Sequence, residues 1–147
     1  MSARSPILER WIAETIQSYP SAAVLFLSSQ DDAFRNPVGH TLRQSLTCLF
    51  EQLQGSMDTS HAVPALDAII RIRAVQDLTA SQAVGFVFLL KPIVRELAPE
   101  HDQLLLGERV DQLALMAFDS YMRCREQLAE IRLSESRRSF RLRQVVG

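Results

Sequence analysis

The sequence has few of the residues from which metal and cofactor sites are usually built. It contains two cysteines and three histidines in 147 residues. Cys48 and Cys124 lie far apart without a CxxC spacing, which indicates neither a zinc site nor a disulfide framework. His40, His61 and His101 are widely separated, and none has an acidic or sulfur neighbour at metal-ligand spacing. We therefore expect no metal site and no resident cofactor.

Long apolar runs and common enzyme signatures are also missing. The apolar run at residues 86–90 is far shorter than the roughly 20 residues that span a bilayer. The N-terminus lacks the charged-then-apolar pattern of a signal peptide. No GxSxG, P-loop, GxGxxG or HExxH motif is present. These absences predict a cytoplasmic, non-enzymatic protein without a membrane span.

The composition is that of one folded domain, with 47% hydrophobic and 22% charged residues and a net charge of -1. Charge is distributed unevenly, because residues 123–147 carry seven Arg against three Glu, or +4, which leaves -5 for residues 1–122. The basic end has Phe140 as its one aromatic residue and no recognition-helix motif, so we do not expect nucleic-acid binding. We divide the chain into a helical domain, residues 1–132, and a basic helix end or flexible tail, residues 133–147.

Helical periodicity is the clearest pattern that is present. Leu8, Trp11, Ile12, Ile16 and Tyr19 recur at three- and four-residue steps and predict a helix with one buried face. Strand-like alternation is lacking elsewhere, although the short apolar run at residues 22–27 fits a helix or a strand. The sequence therefore predicts an all-α, single-domain fold of about six helices with a long C-terminal helix that starts near residue 102.

Helix boundaries are marked by local signals. Asn36-Pro37 predicts an N-cap followed by a first-turn proline. Gly55 is placed for the left-handed conformation that ends many helices. We expect the next helix to begin near Pro64, after a loop at residues 55–63. Thr79 and Gln82 have the spacing of a capping box.

The capping box introduces an apolar segment, residues 83–90, which predicts a central helix that is covered on all sides. Gly85 inside it is consistent with close approach of another helix. Pro92 should bend the helix, because it has no amide to donate to the carbonyl of Phe88.

A concentrated polar set precedes and flanks this segment. Arg73 and Asp77 are four residues apart and could pair on one helix face. One interpretation is that these side chains only provide hydrogen bonds to the turn and to the adjoining helix ends. The other is a pocket for a signal or an anion, because arginine presents several donors to carboxylate or phosphate. The candidate signal or ligand residues are Arg71, Arg73, Gln76, Thr79, Ser81, Gln82 and Lys91.

The long C-terminal helix carries a narrow apolar stripe close to heptad spacing, with Ser120 filling a gap. Such a stripe suggests pairing with another helix, including the same helix of a second subunit. The candidate dimer residues are Val110, Leu113, Ala117, Cys124, Leu128 and Ile131.

Several stretches together resemble the N-terminal domain family named after the RsbT co-antagonist RsbRD. The longest is the signature RIRAVQ…SQAVGF…LK within residues 69–91, and the resemblance runs from about residue 8 to residue 132. The supporting stretches are Trp11 with Tyr19-Pro20, FRNPVG at residues 34–39 and YMRCRE at residues 121–126.

The resemblance implies a bacterial, globin-like sensory module without haem that forms dimers and signals to a following domain or a partner such as a kinase or STAS-type protein. We expect this chain to act without a STAS domain of its own. Our sequence-based hypothesis is a non-enzymatic stress-response sensor that works as a homodimer and relays a stimulus through its C-terminal helix. The alternatives are a small-ligand or tetrapyrrole-binding globin-like protein and a ligand-free structural adaptor.

Overall fold

A computed structural model describes residues 4–19, 36–76 and 78–146. The short element expected at residues 22–27 and Asp77 lie outside these ranges. Within them every regular element is helical, which confirms an all-α, single-domain fold with a long C-terminal helix. The elements are α1 Arg4–Gln17, α2 Pro37–Gln54, α3 Thr59–Ala74, α4 Ala80–Val84, a 3-10 helix Gly85–Leu89, α5 Leu90–Leu97 and α6 Gln103–Val146.

The predicted helix starts are confirmed at α2 and α4. The Asn36 side chain accepts a hydrogen bond from the Gly39 amide at 2.9 Å, and proline occupies the first turn. Thr79 and Gln82 form the capping box in both directions, with a 3.3 Å bond to the Thr79 hydroxyl and a 2.9 Å bond from the Thr79 amide. These caps satisfy amides that have no partner inside the helix.

The α2–α3 connection differs from the sequence-based expectation. Gly55 ends α2 with φ at -103°, and the left-handed residue is instead Met57, at φ 56°. The prediction that the next helix begins near Pro64 was wrong, because Asp58 caps α3 one turn earlier and Pro64 lies inside the helix. A capping carboxylate therefore set the start, and the proline was tolerated within the early turns.

The apolar segment after the capping box is not one continuous α-helix. It changes to 3-10 geometry at Gly85–Leu89 and returns to α-helix at α5. Hydrogen bonds to the third residue do not require the amide that Pro92 lacks. The Phe88 carbonyl accepts a bond from the backbone N–H of Leu90. The segment is also not covered on all sides, because Phe88 is 44% exposed and no atom lies within 4 Å of a Cβ built on Gly85.

The core is closed by contacts between distant parts of the chain. The single tryptophan, Trp11 of α1, is fully buried, and its indole nitrogen donates a 2.8 Å hydrogen bond to the carbonyl of Phe86. The two rings stack with their centroids 6.3 Å apart. α3 packs mainly between α2 and α6. The 3-10 segment is thereby fixed to α1 as well as to its chain neighbours.

Helix α6 belongs to the domain for only part of its length. Its 44 residues would extend about 66 Å at the usual rise. Leu128 is its last residue that packs against the core, and side chains 129–144 are all exposed. The basic end, residues 133–146, is thus helical and projects from the body of the domain.

Candidate functional site

Arg73 is the polar residue at the centre of the predicted set. It lies on the last turn of α3 and is 1% exposed. Its guanidinium donates to the carbonyls of Ala83 and Gln82 at 2.7 and 2.5 Å, and to the hydroxyl of Ser18 at 2.9 Å. One side chain therefore ties the end of α3 to α4 and to the end of α1.

The surroundings of Arg73 are aromatic and neutral. Its guanidinium carbon lies 4.9 Å from the ring centroid of Tyr19 and 5.2 Å from that of Phe86. No carboxylate of the described residues is within ion-pairing distance of it. Burial lowers the pKa of Arg73, since removing the cation from water disfavours the charged form. The charge is held by neutral acceptors and ring faces.

Two buried hydroxyls accompany this arginine. Within the part of the chain that the structure describes, the Oγ1 atom of Thr15 and the phenol oxygen of Tyr19 have no hydrogen-bond partner of good geometry, although the Tyr19 ring lies against the guanidinium. Burial raises the pKa of Tyr19, and the nearby Arg73 charge offsets part of that rise. Neither hydroxyl recovers the hydrogen bonds that it would make with water.

The other predicted site residues do not meet at one point. Thr79 and Gln82 form the cap of α4, and the Ser81 hydroxyl lies 3.3 Å from that of Thr79. Lys91 pairs with Asp111 at 2.6 Å. The remaining two are Gln76, half-buried just after α3, and Arg71, exposed on α3.

Arg71 belongs to a small polar cavity between α3 and α6. The cavity measures about 30 Å³. On its floor the Ser120 hydroxyl donates to Oδ1 of Asp67 at 2.5 Å, and the Arg123 guanidinium donates to the same oxygen at 3.2 Å. The lining residues are Asp67, Arg71, Ser120, Arg123, Cys124 and Gln127.

An apolar cleft of about 390 Å³ lies beside α4, the 3-10 segment and α6. Phe88 and Phe118 contribute aromatic side chains that are 44% and 47% exposed. Leu115 and Met122 share the α6 face with Phe118 and are also exposed. We call Phe88, Leu115, Phe118 and Met122 the apolar patch.

Most of the predicted dimer stripe lies in the chain's own core. Val110, Leu113 and Ala117 are 0% exposed, and Cys124 is 9% exposed. Intramolecular packing therefore accounts for the heptad-like spacing in this part of α6. Of the six residues, Leu128 is half-buried and Ile131 is 53% exposed.

Sequence reasoning missed Asp67 and Arg123 as partners, and Phe88 and Phe118 as cleft residues. One available signal was Ser120, a polar residue within an otherwise apolar stripe. Its buried hydroxyl needs an acceptor, which Asp67 provides. The identity of that acceptor was not readable, because the two residues are 53 positions apart.

The histidines line neither cavity. His61 lies in the first turn of α3 and contacts Asp58 at 2.8 Å. In residues 4–19, 36–76 and 78–146, no three His, Cys, Asp or Glu side chains are grouped to hold a metal ion. Among the helices in those ranges, none combines the length and apolar character needed to cross a membrane.

The fold and its polar clusters define an all-helical domain in which a buried arginine joins three segments and one long helix leaves the body. Residues 5–136 match the family model described as the RsbT co-antagonist protein rsbRD N-terminal domain. The chain belongs to this family. No curated protein and no solved structure matches it significantly.

Proposed function

We propose that the chain is a non-enzymatic sensory and regulatory domain that acts as a homodimer and relays a stimulus to a protein partner through α6. The observation that carries the proposal is the division of α6. Its first part is buried in the core through Val110 and Leu113, and its side chains at residues 129–144 are exposed. A continuous helix can transmit a shift in core packing to its free end.

Family membership supports a signalling role of the stressosome type. The exposed end of α6 combines arginines with apolar residues, including Ile131 and Phe140, which are 53% and 60% exposed. A helix without tertiary contacts is marginal in water, so a partner that packs on this end would also stabilise it. A kinase or a STAS-type protein is the class of partner that we propose, in the cytoplasm.

The apolar patch supports the homodimer. It offers exposed aromatic side chains directly beside an apolar cleft, so one surface carries both a projection and a recess. Interfaces with two-fold symmetry need such self-complementary surfaces. Clustered exposed apolar residues also favour an interaction site over a solvated face. We propose that Phe88 and Phe118 of each copy pack into the cleft of the other.

Light scattering on purified protein tests the dimer. The wild type should have the mass of a dimer at micromolar concentration, and Phe118→Glu should be a monomer, because the new carboxylate would be desolvated at the interface. Leu104→Ser is the matched control, since Leu104 is 77% exposed on the same helix and outside the patch. A monomeric wild type, or a dimeric Phe118→Glu variant, would contradict the proposed interface.

A further inference from the structure

Among the described residues, the polar cavity between α3 and α6 has more positive than negative side chains, so part of its positive charge is not neutralised. Among the described residues of its lining Asp67 is the one carboxylate, and it already accepts hydrogen bonds from Ser120 and Arg123. Arg71 has no hydrogen bond or ion pair within the part of the chain that the structure describes. Two guanidinium groups against one carboxylate give the described lining residues a net charge of +1.

We propose that this cavity binds a small inorganic oxyanion of the sulfate or phosphate type, held between Arg71 on α3 and Arg123 on α6. Guanidinium groups bind such anions through paired, charge-assisted N–H donors. Gln127, also in the lining, adds an amide donor. The volume of about 30 Å³ is roughly twice what one water requires. This space excludes a large ligand, and a tetrahedral anion would place some of its oxygens between the two arginines and keep the others in solvent.

The position of the cavity gives the anion a structural effect. Arg123 and Gln127 lie in the last turns of α6 before Leu128, after which the side chains at residues 129–144 are exposed. An anion joined to Arg71 would connect α3 to α6 at the point where α6 leaves the body. Binding itself does not depend on the signalling role, whereas any consequence for the output rests on the relay function proposed above.

Calorimetric titration of the full chain with sodium sulfate, and separately with sodium phosphate, tests the site in chloride buffer at matched ionic strength. The wild type should bind one anion per chain. Arg71→Gln should weaken binding on the order of tenfold, through the loss of a charge-assisted contact. Asp67→Asn should tighten it about fivefold, because one negative charge near the anion is removed.

Arg125→Gln is the matched control, because Arg125 is an exposed arginine of α6 outside the cavity lining. Its affinity should equal that of the wild type, and circular dichroism should show the same helical content for every variant. Absence of saturable binding by the wild type overturns the proposal, as does equal weakening by Arg125→Gln and Arg71→Gln. Neither result bears on the mass of the protein in light scattering, which tests the proposed dimer separately.

Discussion

Replacing Arg73 should remove the contact that joins the ends of α1, α3 and α4. Its guanidinium serves two carbonyl oxygens and the Ser18 hydroxyl, none of which is charged. We consider Arg73→Met, which keeps much of the side-chain volume and removes both the charge and the donors. The direction of the stability change depends on two opposing contributions.

Burial of an arginine that has no carboxylate partner among the described residues is costly, by several kcal/mol after relaxation. The cation is partly compensated by the ring faces of Tyr19 and Phe86, each contact contributing about 0.5–2 kcal/mol. Its three hydrogen bonds contribute about 1.5–3 kcal/mol each, and removing them leaves the carbonyls of Gln82 and Ala83 without this donor. The hydrogen bonds and orphaned carbonyls outweigh the relief of desolvation, so we expect a loss of roughly 3 kcal/mol.

Urea unfolding followed by helical circular dichroism measures this change, and Trp11 fluorescence reports locally, because its indole is bonded to Phe86. Arg71→Met is the matched control, two residues earlier on α3 but exposed, and should change stability by less than about 0.5 kcal/mol. Arg73→Lys should fall between the wild type and Arg73→Met, because one ammonium cannot reach all three acceptors. An Arg73→Met protein as stable as the wild type would refute the reasoning. The free-energy cost of burying the charge would then equal the stabilisation from its hydrogen bonds and ring contacts.

The remaining predictions concern two glycines, a tyrosine and the helix end. Gly39→Ala should destabilise by about 1 kcal/mol, because its Cβ would clash with the capping Asn36 side chain. In thermal unfolding Gly107→Ala, whose Cβ would meet no side chain or other helix within 4 Å, should stabilise by a similar amount. Tyr19→Phe should leave stability at neutral pH unchanged or higher, since it deletes an unpartnered hydroxyl. The raised pKa of Tyr19 makes the wild type lose stability as pH rises above about 10, where the unfolded tyrosine ionises first; alkaline unfolding curves that coincide for both proteins would contradict this. Deleting residues 133–147 should preserve the unfolding midpoint yet abolish capture of the partner in pull-down, and unchanged capture would count against an output role for this end.

The sequence allowed the local features to be predicted because they depend on residues within about four positions. The Asn36 cap, the Thr79–Gln82 capping box and the buried face of α1 all follow from short-range hydrogen bonding or helical periodicity. Errors arose where two local signals competed. Pro64 predicts a helix start, but Asp58 caps the chain earlier, and the left-handed conformation falls on Met57 instead of Gly55.

The candidate site was only partly accessible from sequence. The sequence indicates the polar residues near Arg73 as one set. In the structure they have separate roles: a buried arginine that joins three segments, a helix cap, a surface ion pair and one residue of a separate cavity. These roles depend on what each side chain meets across the fold. Arg73 bonds to Ser18, which is 55 positions away in the sequence, and Ser120 bonds to Asp67, which is 53 positions away. At such separations the spacing of residues in the sequence does not predict which side chains will be in contact.

The sequence by itself therefore determined an all-helical chain, most helix starts and the family to which it belongs. Tertiary structure decided which face of α6 is core and which is exposed. Val110 and Phe118 are both apolar residues of one helix, and only the position of the other helices buries the first and leaves the second 47% exposed. The physical reason is that helix formation depends on local hydrogen bonds, whereas burial depends on non-directional packing against distant segments.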